Sequence, residues 1–145
     1  MSARALCLVA AVAVATGVAA QDLVPYRIDG DEIRAPLARG AGDPARGRSI
    51  VLGRESNCLL CHTVPESGER FMGNIGPPLA GTGARLSVGK LRLRIVDSTR
   101  IDPNTPMPAY YRVDGLNLVA AGYRGKPILS AQEIEDVVAY LRTLQ

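Results

Sequence analysis

The sequence has a single histidine, His62, no tryptophan and one phenylalanine, Phe71. It has three cysteines, one of which, Cys7, lies in an apolar leader. These scarcities exclude a good deal. A tetrahedral zinc site needs four ligands, and beyond the leader only Cys58, Cys61 and His62 are available as cysteine or histidine donors. With one phenylalanine and five tyrosines, protein alone builds a thin core, so a buried apolar cofactor is expected to supply the missing volume. No dense basic run occurs, and the formal net charge is only +3, so nucleic acid is not an expected partner. Neither strand alternation nor an internal repeat is present.

The first twenty residues read as an export signal. Arg4 is a positive start, the run Ala5 to Ala15 is too short to span a bilayer comfortably, and Ala19 and Ala20 precede Gln21 as small cleavage-site residues. The alternative is an uncleaved anchor. Cleavage implies a periplasmic location and a mature chain of about 125 residues, the size of one domain. It also removes Arg4 and leaves a net charge of +2. Residues 21–42, with charge and scattered Pro and Gly, are expected to extend outside the core, on a partner or free. Residues 43–145 form the domain proper.

Export would ordinarily make two cysteines a suspected disulfide. Here they stand in Cys58-Leu59-Leu60-Cys61-His62. Thiols two residues apart on a short helix can both reach the vinyl groups along one haem edge and form thioethers. The next residue is then carried beneath the iron, where His62 offers a ring nitrogen. A thioredoxin-like pair would need a preceding strand within alternating strands and helices, which the pattern lacks. The expected cofactor is one covalent haem c.

Met107, Met72 or no protein group could take the opposite axial position. Met107 is held between Pro106 and Pro108, a stiff non-helical strap suited to pressing a thioether against a haem face, and it is favoured. Met72 reads better as a flexible filler near the haem edge. His/Met ligation closes the iron and raises its potential, so it moves electrons rather than binding substrate. A Gly76-Pro77 turn could bring the Pro77 carbonyl to the other ring N–H of His62; an ordinary proline turn is the alternative.

Helices are expected around this site. Asp43-Pro44 caps one running towards Arg54, with Gly47 at a close approach to the Tyr140–Leu141 region. Ser130 and Glu133 form a capping box for another, with Ile134, Val137, Val138, Leu141 and Leu144 on one face. Val88, Leu91 and Ile95 give a weaker period. Arg92 and Arg94 lie on its other faces and are candidate partners for haem propionates, or else solvated charge.

The motif Cys58–His62, with Gly73-Asn74-Ile75-Gly76-Pro77, resembles the class I cytochromes c, which implies an all-α fold packed round one haem. Leu91–Asp97, Thr105–Tyr111 and Ile134–Leu141 narrow the resemblance to the SoxX family, over roughly Gly47 to Leu144. Pro106 departs from that pattern, where an apolar residue is expected. The resemblance implies a SoxA-like cytochrome subunit as partner, in a complex that oxidatively joins thiosulfate to a cysteine of a SoxYZ-like carrier, an L-cysteine S-thiosulfotransferase. This chain would be its electron-accepting subunit, with no substrate-converting site of its own, passing electrons to a soluble or membrane acceptor. The rival readings are a free monohaem electron shuttle and, further off, an open-site haem enzyme or sensor.

Overall fold

The computed structural model describes residues 23–145; the expected export signal lies outside the described residues. Four α-helices follow in chain order: α1 (Pro44–Leu52), α2 (Thr82–Arg85), α3 (Val88–Asp97) and α4 (Ala131–Thr143). Short 3-10 turns occupy Cys58–Leu60, Ser98–Arg100 and Ala121–Tyr123. Among the described residues there is no strand, only an isolated bridge between Asp29 and Glu32. The fold is all-α, and no described helix is long and apolar enough to cross a membrane.

Local chemistry explains the helix ends. Asp43 accepts from the Ala45 and Arg46 amides, and Pro44 has no N–H to leave unpaired in the first turn. The helix stops at Leu52, short of Arg54: Gly53 turns out into extended backbone, and the Ile50 carbonyl accepts from both Gly53 N and Ser56 Oγ. The Ser130–Glu133 box closes on both sides, with Ser130 N donating to Glu133 Oε2 at 2.7 Å and Glu133 N to Ser130 Oγ at 3.3 Å.

α1 and α4 cross at Gly47. A Cβ there would overlap the Asp136 carbonyl oxygen and lie 2.9 Å from Tyr140 Cβ, so only glycine lets the backbones approach this closely. Val51, Leu91, Val96, Ile134, Val137 and Val138 fill the core that these helices share. Asp136 ties the crossing from inside. Its carboxylate takes a bidentate pair from Arg46 (2.7 and 2.9 Å) and the Asp43 amide at 2.8 Å.

The Arg46 guanidinium, with the Asp43 amide and Gln132, holds the Asp136 carboxyl below its ordinary value. A depressed carboxylate stabilises the fold above its unfolded pKa of about 3.9, and that contribution is lost as pH falls through the folded value. Stability measured by thermal melts should therefore decline steeply below about pH 4. Asp136→Asn should flatten that decline while lowering stability at neutral pH; an unaltered acid limb would refute the linkage.

The segment before α1 is not external to the core. Ile33 is fully buried and Leu37 nearly so. Ile33 N donates to Gly89 O at 3.0 Å, and Arg92 reaches across α3 to bond the Ile33 carbonyl at 2.6 Å. Arg92 also forms a buried bidentate pair with Glu135 of α4, at 2.7 and 2.8 Å. Glu135 Oε1 in turn accepts the Leu37 amide at 2.8 Å. The expectation of a detached 21–42 extension is thus corrected for its described part. The weak periodicity of α3 has the same cause: residues 29–37 lie across it, so Leu91, Leu93, Ile95 and Val96 are buried on more than one face.

Candidate haem site

Asn57 sets the turn that carries both thiols. Its backbone is left-handed (φ 53°), a conformation asparagine tolerates better than most side chains. The chain then winds tightly: Leu60 N bonds Asn57 O at 3.0 Å, Cys61 N and His62 N both bond Cys58 O, at 3.2 and 2.9 Å. Cys58 and Cys61 are free thiols, half-buried, with no disulfide between them. Burial pushes the Cys58 thiol above its ordinary pKa, against the hydroxyl groups of Ser56 and Tyr110, which lower it. The Tyr110 hydroxyl donates to the Ser56 carbonyl at 2.7 Å, and burial raises its own pKa well beyond the usual tyrosine value.

A second stretch runs alongside this turn and fixes the imidazole. Gly73 N donates to Leu59 O and Gly76 N to Cys61 O, both at 2.8 Å, and Leu79 N to Thr63 O at 2.9 Å. His62 Nδ1 lies 2.7 Å from the Pro77 carbonyl oxygen. A carbonyl only accepts, so Nδ1 carries the proton and the Nε2 lone pair is left for a metal. Gly76 packs flat against the ring: a Cβ there would overlap Cε1 and come within 2.7 Å of Nδ1 and 2.9 Å of Nε2. Gly76→Ala should cost about 1–3 kcal/mol through overpacking. It should also tilt the imidazole off the Pro77 carbonyl. The check is a thermal melt of the haem-loaded protein together with its reduction potential; an unshifted potential would mean the ring stays put.

Met107 lines the same cleft as His62. The strap holding it starts at Asp102, whose carbonyl accepts from Thr105 N at 3.1 Å and whose Oδ1 accepts from Asn104 N at 2.9 Å. Ser98 Oγ donates to the Met107 carbonyl at 2.8 Å. Beyond Pro108, Tyr110 N and Tyr111 N bond Ile95 O and Val96 O, both at 3.2 Å, clipping the strap to the end of α3. Met72 lies elsewhere, its sulfur accepting from Val64 N at 3.2 Å and Ser67 Oγ at 3.5 Å.

The cleft has two lobes, about 400 and 380 Å³, each within the usual size of a cofactor pocket. Both are bounded by His62, Pro77, Thr105 and Met107. Leu79, Leu91, Ile95 and Leu141 line one; Cys58, Cys61, Ile75 and Tyr110 line the other. An apolar slot lined by one imidazole nitrogen and one thioether, with two thiols in the second lobe, fits a haem. It does not fit a tetrahedral ion, and no group of three or more His, Cys, Asp or Glu suited to one occurs among the described residues.

Arg85 and Arg94 also line the first lobe, and neither forms a salt bridge among the described residues. Arg85 is braced on its own loop by the Ala80 carbonyl at 2.6 Å and the Pro78 carbonyl at 3.2 Å. Arg92, expected beside Arg94, is instead taken by Glu135 on the far side of α3. Sequence reasoning missed Arg85, Ser98 and Tyr110. Gly76 could have been found from its place directly before Pro77, whereas nothing local marks Ser98.

The sequence profile of the cytochrome c family matches residues 44–145. Among solved structures, SoxXA from P. pantotrophus shares 36% identity over 82% of this chain and 93% of that one, with a TM-score of 0.76. The c-type cytochrome SorU from Sinorhizobium meliloti shares 27% identity over 70% and 88% of the two chains, with a TM-score of 0.45. No curated protein matches.

Proposed function

The chain belongs to the cytochrome c family, as a SoxX-type member with one covalently bound haem c, and from that premise we propose that it is the electron-accepting subunit of a periplasmic thiosulfate-oxidising complex. Cys58 and Cys61 would hold the haem through thioethers, His62 Nε2 and Met107 Sδ would ligate its iron, and the Pro77 carbonyl fixes the His62 tautomer. Arg85 and Arg94 would meet the propionates, since these two arginines of the cleft have no acidic partner among the described residues. When bound, the haem supplies a one-electron couple between ferric and ferrous iron.

The observation that carries this reading is that His62 and Met107 border both lobes of one apolar cleft. With an imidazole and a thioether both supplied by the chain, a bound iron would be closed to substrate, and electron transfer is what remains. The Pro106-Met107-Pro108 strap and the Ser98 hydrogen bond hold the thioether without a helix. The sulfur chemistry then belongs to a SoxA-type partner. Joining thiosulfate to a carrier thiol forms one S–S bond and releases two electrons and a proton, which a one-electron centre must pass on singly to a further acceptor. The carrier would be of the SoxYZ type, the acceptor a soluble or membrane cytochrome.

Support for the partner comes from the likeness to SoxXA, in which the matched chain is covered almost completely. Size-exclusion of the native periplasmic fraction tests it. The expected result is a stable complex with a second haem-bearing chain, whose haem c spectrum is reduced when thiosulfate and carrier are added. A lone small monomer, reducible only by other cytochromes, would show a free shuttle instead.

A further inference from the structure

Between the haem strap and α4 the chain makes a long excursion, residues 112–126, whose only regular piece is the turn Ala121–Tyr123. Leu118, near its tip, is wholly exposed and left-handed (φ 54°). Either feature alone is unfavourable for a leucine: the backbone crowds its Cβ, and its apolar surface stays in water. Both on one residue suggest a side chain held out for something to cover.

The surroundings extend the same surface. Leu116 and Tyr123 are exposed beside a cleft of about 420 Å³ that reaches Asn57, the residue opening the thiol-bearing turn. Asn57 also borders the haem lobe, where Leu60 and Ile75 stand about two-thirds exposed. An apolar strip therefore runs from the excursion to the edge of the haem cleft. The cleft's charged lining is Arg54, Arg112 and Lys126 against the single carboxylate of Glu55. Arg112 is already paired through Nη1 with Asp97 at 3.3 Å, although its Nε is buried with no acceptor among the described residues.

We propose that the 112–126 excursion, with Leu60 and Ile75, is the seat of the SoxA-type subunit, which meets it with an apolar centre and an acidic margin. This rests on the subunit reading above and adds the surface to it. The apolar strip suits a permanent interface, because transient redox encounters are small and polar. With Arg112 paired to Asp97, Arg54 and Lys126 still outweigh Glu55 in this cleft, so a second copy of this chain would set like charges face to face, and the cleft calls for carboxylates on the partner. Seated there, the partner abuts the Cys58–Cys61 edge of the haem and covers Leu118.

Leu118→Gly separates binding from folding. Glycine accepts φ 54° without strain, so the haem-loaded variant should melt no lower than the native protein, while a central leucine lost from the interface should weaken the complex at least about tenfold. Lys126→Glu should weaken it as well, most at low salt. The measurement is titration of the holo-chain and each variant with the SoxA-type subunit of the same organism. Native affinity in both variants overturns the surface and leaves the subunit reading standing. If the native chain itself does not bind, both fall. Self-association of the native chain that Leu118→Gly abolishes would identify a second copy as the occupant and overturn the proposal.

Discussion

Met107→Ala is expected to open the iron: the ferric spectrum of the haem-loaded protein should change from low to high spin, and the reduction potential should fall. A thioether stabilises ferrous over ferric iron, so its loss lowers the potential, and no other methionine among the described residues lines the cleft to replace it. Met72 is engaged by the Val64 amide and Ser67 hydroxyl and does not line the cleft. The strap itself should survive, because Ser98, Asp102 and the two prolines hold it through backbone groups. A stability loss of about 2–5 kcal/mol is expected besides, as for methionine truncations that leave a cavity. The opened site should then bind small ligands such as cyanide or imidazole that the native protein excludes. An unchanged spectrum and potential would show that another group ligates the iron.

Glu135→Ala should be the most destabilising change away from the haem. It leaves the Arg92 guanidinium buried without its counter-charge and the Leu37 amide without an acceptor. Breaking one side of such a pair costs about 3–5 kcal/mol, a large share of a domain's stability. Chemical denaturation measures it directly. The double change Arg92→Met and Glu135→Leu should recover much of the loss, since apolar side chains can fill the same space between α3 and α4. It should not restore the segment at 33–37, whose Ile33 carbonyl and Leu37 amide would lose their side-chain partners. Hydrogen exchange at the Leu37 amide separates the two effects: fast exchange in the double variant despite near-native stability is the expected result. Protected exchange there would mean the apolar core alone docks the segment.

These two sites differ in how far they could be read from the chain. The haem motif is a matter of covalent spacing over five residues, so its chemistry follows from order alone. Met107 was marked by its flanking prolines, and the Ser130–Glu133 box by a four-residue pattern that closes locally. The crossing at Gly47 was legible because a glycine inside a helix signals a close approach. Arg92 was legible only as a cation on a helix. Periodicity places its Cα but does not say whether a propionate, water or a carboxylate 43 residues away meets the guanidinium. The same gap hid the role of residues 29–37, whose polar composition resembles a free tail although Ile33 and Leu37 are core residues.

What the sequence determined by itself about this protein is therefore its short-range chemistry: the thiol–thiol–imidazole spacing, the proline-held thioether and the helix caps, each set by bonds among neighbours in the chain. Tertiary structure decided which distant groups share a low-dielectric interior. It gave Arg92 to Glu135, leaving Arg85 and Arg94 to the cleft, drew residues 29–37 across α3, and brought His62 and Met107 to one cleft. A buried charge or amide must find a partner, and which partner lies within reach depends on how the whole chain packs.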